Sequence, residues 1–85
     1  MTTRPARRWT RWHSSDWMSM VDVDAEGAYT YGAWQGHSDE PPAGVMQPAG
    51  SLVDGQHQAS HYIREQGHWC TDTCSFWIAD PPIEH

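Results

Sequence analysis

The tetrapeptide Asp24-Ala25-Glu26-Gly27 joins two runs of alternating character, and no other feature restricts the fold as much. Upstream, Trp17, Ser19, Val21 and Val23 alternate with Met18, Met20, Asp22 and Asp24; downstream, a second run extends from Ala28 to Trp34. Successive side chains of a strand point to opposite faces, so such alternation specifies a half-buried strand. Asp opening a type I turn, with Gly at the position that needs φ > 0, specifies a hairpin with a G1 bulge. If Asp24 opposes Ala28, then Val23 meets Tyr29, Val21 meets Tyr31 and Ser19 meets Ala33. That register gathers Val and Tyr on one face and Met18, Met20 and Trp34 on the other.

A helix is expected over residues 51–66. Ser51-Leu52-Val53-Asp54 has the spacing of a capping box, and Gly67 suits the residue after the helix end. Leu52, Gly55, Ala59, Tyr62, Ile63 and Gln66 fall in one stripe, which should meet the sheet. Gly55 weakens this helix by about 1 kcal/mol relative to Ala. Residues 68–79 read as a strand stopped by Asp80-Pro81-Pro82, with Cys70, Cys74, Phe76 and Ile78 on one face and Trp69, Trp77 and Ala79 on the other. Residues 36–50 hold three prolines and three glycines and read as an irregular connection. A loop of that length in a small domain is functional or mobile.

The expected fold is therefore a small α+β domain over residues 13–85, in the order β-β-α-β. A three-stranded sheet carries one helix, and residues 1–12 precede it as a basic arm. Its core is aromatic. Leu, Ile, Val and Phe together number nine in 85 residues, a level typical of disordered chains. Six tryptophans compensate, since each can bury roughly 200 Å². They also exceed what one short helix can cover, so an exposed aromatic surface is expected.

Charge is segregated. Four of the five arginines, Arg4, Arg7, Arg8 and Arg11, precede residue 12, whereas the remainder has eleven carboxylates and one cation, Arg64. Trp9 and Trp12 lie among the arginines. An arm of guanidinium groups and stacking surfaces suits a protein partner, an acidic one included, or a neighbouring subunit of an oligomer or assembly. Nucleic acid is disfavoured, because four arginines make few phosphate contacts and a body of formal charge −10 repels a polyanion. The carboxylates are scattered through turns rather than arrayed in rows, so they fit solubilisation better than DNA mimicry.

The candidate metal set is His57, His61, Cys70 and Cys74. Histidines four apart share one helical face, and two thiolates would complete a Cys₂His₂ zinc site. Two objections come from geometry. Both histidines point away from Ala59, toward solvent, and on one continuous strand the two cysteines would be about 13 Å apart. The alternatives are small buried cysteines or a Cys70–Cys74 disulfide. His13-Ser14-Ser15-Asp16 contains the residue types of a hydrolase triad, but triad members come from separate elements that meet in space. Asp16 reads instead as part of a turn. P-loop, dinucleotide-binding and HExxH motifs are absent.

The functional expectation is a non-catalytic protein-binding protein that needs no cofactor. Its contact residues would be Arg4, Arg7, Arg8, Trp9, Arg11, Trp12 and Trp34. A small zinc-binding domain that contacts nucleic acid is the alternative. No apolar run is long enough to span a membrane and no apolar stretch follows the basic start, so a cytoplasmic location is expected. Lys and Asn are missing, which fits a GC-rich genome such as that of an actinobacterium or its phage. A phage or mobile-element accessory protein, as a virion component or a host-directed inhibitor, suits the size.

Overall fold

The computed structural model describes residues 6–13, 16–36, 38, 40–67 and 75–80. Six elements follow in order: β1 (Arg7–His13), β2 (Trp17–Val23), β3 (Tyr29–Gln35), β4 (Gln47–Ala49), α1 (Leu52–Glu65) and β5 (Ile78–Asp80). The five strands form one antiparallel sheet in the order β4-β3-β2-β1-β5. The α+β class agrees with the sequence; the strand number does not.

The central hairpin has the expected register, with Val23 opposite Tyr29, Val21 opposite Tyr31 and Ser19 opposite Ala33. Its turn closes through Gly27 N–H donating to the Asp24 carbonyl at 3.1 Å, and Gly27 has φ +88. The Asp24 carboxylate also accepts from the Glu26 and Ala28 N–H groups. The hairpin between β1 and β2 repeats this device. Asp16 N–H donates to the His13 carbonyl at 3.2 Å, with Asp16 at φ 66. Asp tolerates the left-handed region better than most residues because its short side chain bonds locally.

Residues 7–12, expected in an arm, instead form most of an interior strand. β1 pairs with β2 along its whole length and with β5 on its other side. Its alternation was masked by charge: one face carries Arg8, Thr10 and Trp12, and the other Arg7, Trp9, Arg11 and His13. The charges are accommodated by cross-strand pairing. Arg8 lies opposite Asp22 and donates through Nε at 2.8 Å and Nη2 at 3.0 Å. This two-pronged, partly buried pair is stronger than the ~0–1 kcal/mol of an exposed ion pair.

The connection expected to be irregular also enters the fold. Gln47–Ala49 pairs with Tyr29–Tyr31 as β4. Three residues are too few to show periodicity. Pro48 stands opposite Thr30, at a site that turns its nitrogen away from β3. Proline is tolerated there, and it blunts the sheet edge.

The two faces of the sheet are covered differently. On one, α1 packs over β2, β3 and β4, with Gly55 against Val21 and Ala49. Ala33, Ala59 and Ile63 form the centre of that layer, joined by Trp17, Tyr31 and Trp77. The helix begins at Ser51, whose hydroxyl accepts from Asp54 N–H at 3.1 Å. Asp54 accepts from Gly50 N–H and from the Gln58 amide, and these bonds hold its carboxyl below the ordinary carboxylate range. On the other face, Met18, Met20 and Trp34 are covered by Val45 and Met46 from the chain that leads into β4. Met46 comes so close to Gly32 that any Cβ there would overlap its sulfur. The connection is thus part of the core.

The strand expected over residues 68–79 is present only as β5. Ser75, Phe76 and Trp77 lead into it, and residues 68–74 lie outside the described residues.

Candidate interaction surface

Among the described residues, three of the exposed large apolar side chains cluster where β1 meets β5; the other two, Val53 and Tyr62, lie on α1. Val45 and Met46 cover β2 and β3 on their face, and the same face of β1 and β5 continues beyond them. Trp12 lies opposite Met18, and Thr10 lies between Met20 and Ile78. Trp12 is 38% exposed, Ile78 60% and Phe76 87%. Phe76 and Ile78 flank Trp77, which packs into the helix-side layer, so the alternation of the strand turns both outward. The start of this segment is pinned to β1. Ser75 N–H donates to the Trp12 carbonyl at 2.9 Å, Trp12 N–H donates to Ser75 Oγ at 2.8 Å, and Arg11 Nε donates to the Ser75 carbonyl at 2.8 Å. The result is an apolar patch of Trp12, Phe76 and Ile78 on an anchored ribbon, bordered by Thr10 and the Arg8–Asp22 pair.

The structure distributes the expected contact residues unevenly. Only Trp12 is on this patch. Arg8 is engaged with Asp22, and Arg11 with Ser75. Arg7, Trp9 and Arg11 lie on the opposite face of β1, where Trp9 sits 6.3 Å from the Tyr29 ring. Trp34, expected at the surface, is 6% exposed and belongs to the core beneath Val45 and Met46. Arg4 lies outside the described residues. Phe76 and Ile78 were not among the expected contacts, although the alternation around Trp77 places them together on one face.

His57 and His61 are exposed on α1, and His61 Nε2 lies 2.6 Å from Glu65 Oε1. Cys70 and Cys74 lie outside the described residues. Among the described residues, no group of three or more His, Cys, Asp or Glu could hold a metal ion. His13 does meet a serine, though not one from its own loop. Its Nε2 lies 2.7 Å from Ser19 Oγ, and both residues are fully buried. The pair is sealed from solvent and lies within the core.

Among the described residues, no helix is long and apolar enough to cross a membrane. No protein-family model, curated protein or solved structure matches the chain.

Proposed function

We propose that this protein is a non-catalytic interaction module that binds another protein through the β1–β5 face carrying Trp12, Phe76 and Ile78. One observation carries the reading: three large, exposed apolar side chains stand together on one face of the sheet, beyond the part that Val45 and Met46 cover. An exposed aromatic cluster with a polar rim is the pattern of a protein interface, and aromatic residues dominate the energetics of such surfaces. Catalysis has less support, because the sequence has no catalytic motif and the buried His13–Ser19 pair has no access to a substrate. Nucleic acid also has less support, since two of the arginines that would contact phosphate are bonded within the sheet. A phage or mobile-element accessory role fits the size and the coding bias. Recovery of many copies from purified particles would separate a virion component from a host-directed inhibitor.

A photo-crosslinking amino acid at Phe76, with Val53 on the exposed side of α1 as control, tests the reading. The expected result is one discrete adduct in lysate from Phe76, none from Val53, and loss of the adduct on Trp12→Ser. Equal adducts from both positions, or none, would contradict it.

A further inference from the structure

The opposite edge of the sheet is incomplete in a specific way. Hydrogen-bonded pairs in an antiparallel ladder alternate, and two bonds beyond the ends of β2 and β3 fix which residues pair. Asp24 N–H donates to the Ala28 carbonyl and Gly36 N–H to the Asp16 carbonyl. By that alternation Thr30, Gly32 and Trp34 turn their backbone groups toward β2, while Tyr29, Tyr31, Ala33 and Gln35 turn theirs toward β4. But β4 pairs only with Tyr29–Tyr31. Upstream of Gln47 the chain leaves the edge through a turn closed by Val45 N–H on the Pro42 carbonyl, and Val45 and Met46 cover the Trp34 side of the sheet. The outward N–H and C=O groups of Ala33 and Gln35 therefore have no backbone partner among the described residues.

Where β4 would have continued there is a cavity of ≈ 290 Å³, bounded by Tyr31 and Ala33 of β3, Val45 and Gln47 of the departing chain, and Tyr62 of α1. Of the described residues of α1, Tyr62 lines it, and two carboxylates share the helical row of Tyr62. Asp54, Gln58, Tyr62 and Glu65 follow one another at four- and three-residue spacing and so lie in one row, whereas Arg64 is two residues from Tyr62 and falls on the other side. The described arginines of the sheet are all on β1, two strands away.

We propose that this edge binds an extended, basic peptide segment of a partner protein, which adds antiparallel to β3 in place of the missing length of β4. Ala33 and Gln35 hydrogen-bond its backbone, as strand addition requires. The residue facing Ala33 lies on the helix side and places a large apolar side chain in the cavity between Tyr31 and Tyr62. Flanking lysines or arginines meet the carboxylate row. A second copy is disfavoured as occupant, because it brings a formal charge of −6 to a chain of the same charge. The inference is independent of the β1–β5 surface.

The test uses the full chain, ¹⁵N-labelled, titrated with a blocked nine-residue peptide of alternating threonine and lysine with leucine at the centre. The expected result is saturable shifts at the amides of Ala33 and Gln35, with Tyr31 and Gln47 following and Trp12 and Phe76 unmoved. Exchanging the peptide's lysines for glutamates should abolish the shifts. Gln35→Pro deletes an outward donor and no ladder bond to β2, and should raise Kd about five- to tenfold with the melt unchanged. Tyr62→Lys should weaken binding as well, which keeps the inference testable if proline disturbs β3. No shift at Ala33 and Gln35, or equal binding of the acidic peptide, would overturn it. So would movement of the same amides on dilution of the protein alone, which would assign the edge to a second copy.

Discussion

Gly55→Ala sets two effects of similar size against each other, and the seating of α1 on the sheet decides the sign. In an exposed helix interior this change stabilises by about 1 kcal/mol, because glycine has more backbone freedom to lose. At position 55 the added Cβ would lie 3.1 Å from both Cγ1 and Cγ2 of Val21 and 3.4 Å from the Ala49 Cβ. Carbon atoms pack best at roughly 3.5–4.0 Å. Val21 cannot give way readily: it is fully buried, β-branched and on a strand paired on both sides. The helix must lift by a few tenths of an ångström, and overpacking of this kind costs about 1–3 kcal/mol. The expected net effect is a loss of about 1 kcal/mol, or about 4–8 °C in Tm for a domain of this size. Val21→Ala alone should cost about 2–3 kcal/mol. In that background the new Cβ enters vacated space, and Gly55→Ala should recover about 1 kcal/mol. Urea unfolding followed by far-UV circular dichroism on the four proteins gives the cycle, with an expected coupling of about 2 kcal/mol. A Gly55→Ala variant more stable than wild type by about 1 kcal/mol would refute the packing of α1 against Val21.

Three further outcomes follow. Ser19→Ala removes the hydroxyl that meets His13 Nε2 in the core, and a thermal melt should register a loss of about 1–3 kcal/mol. Trp34 Nε1 is buried without a hydrogen-bond partner, so Trp34→Phe should stay within about 1 kcal/mol of wild type while Trp34→Ala costs about 3–5 kcal/mol. The Gly50 and Gln58 bonds hold the Asp54 carboxyl below the ordinary carboxylate range, so its folded carboxylate is favoured. Its contribution is complete above the ordinary carboxylate range and is lost as pH falls through the folded pKa. The stability difference between wild type and Asp54→Asn should therefore be flat near neutrality and shrink in acid, and a difference that grows in acid would contradict the sign.

What the sequence revealed depended on whether an element carried its own pattern. The hairpin did so twice, in alternation and in turn chemistry, and its register follows from Asp24 and Gly27 alone. The helix did so through Ser51, Asp54 and the spacing of Gly55, Ala59 and Ile63. β1 did not, because its partner lies elsewhere in the chain. Arg8 looks like surface charge until Asp22 is known to stand opposite, and Arg7, Trp9 and Arg11 show no apolar face. β4 is too short for any period, and its proline argues against a strand unless the strand is known to lie at an edge. Trp34 looks like surface from the sequence because nothing in its neighbourhood announces that Val45 and Met46 return to cover it. The exposed patch is half legible: Trp12 stands out by the arginines around it, while Phe76 and Ile78 are visible only as one side of an alternation.

Trp12 stands beside Phe76 and Ile78 because Arg7–His13 is an interior strand of the sheet. Amide hydrogen exchange measures it directly. Pairing on both sides predicts that the amides of residues 7–13 exchange about a thousandfold or more below the unstructured rate, in step with those of Trp17–Val23. Exchange across residues 7–13 at the unstructured rate, with β2 and β3 still protected, would contradict it.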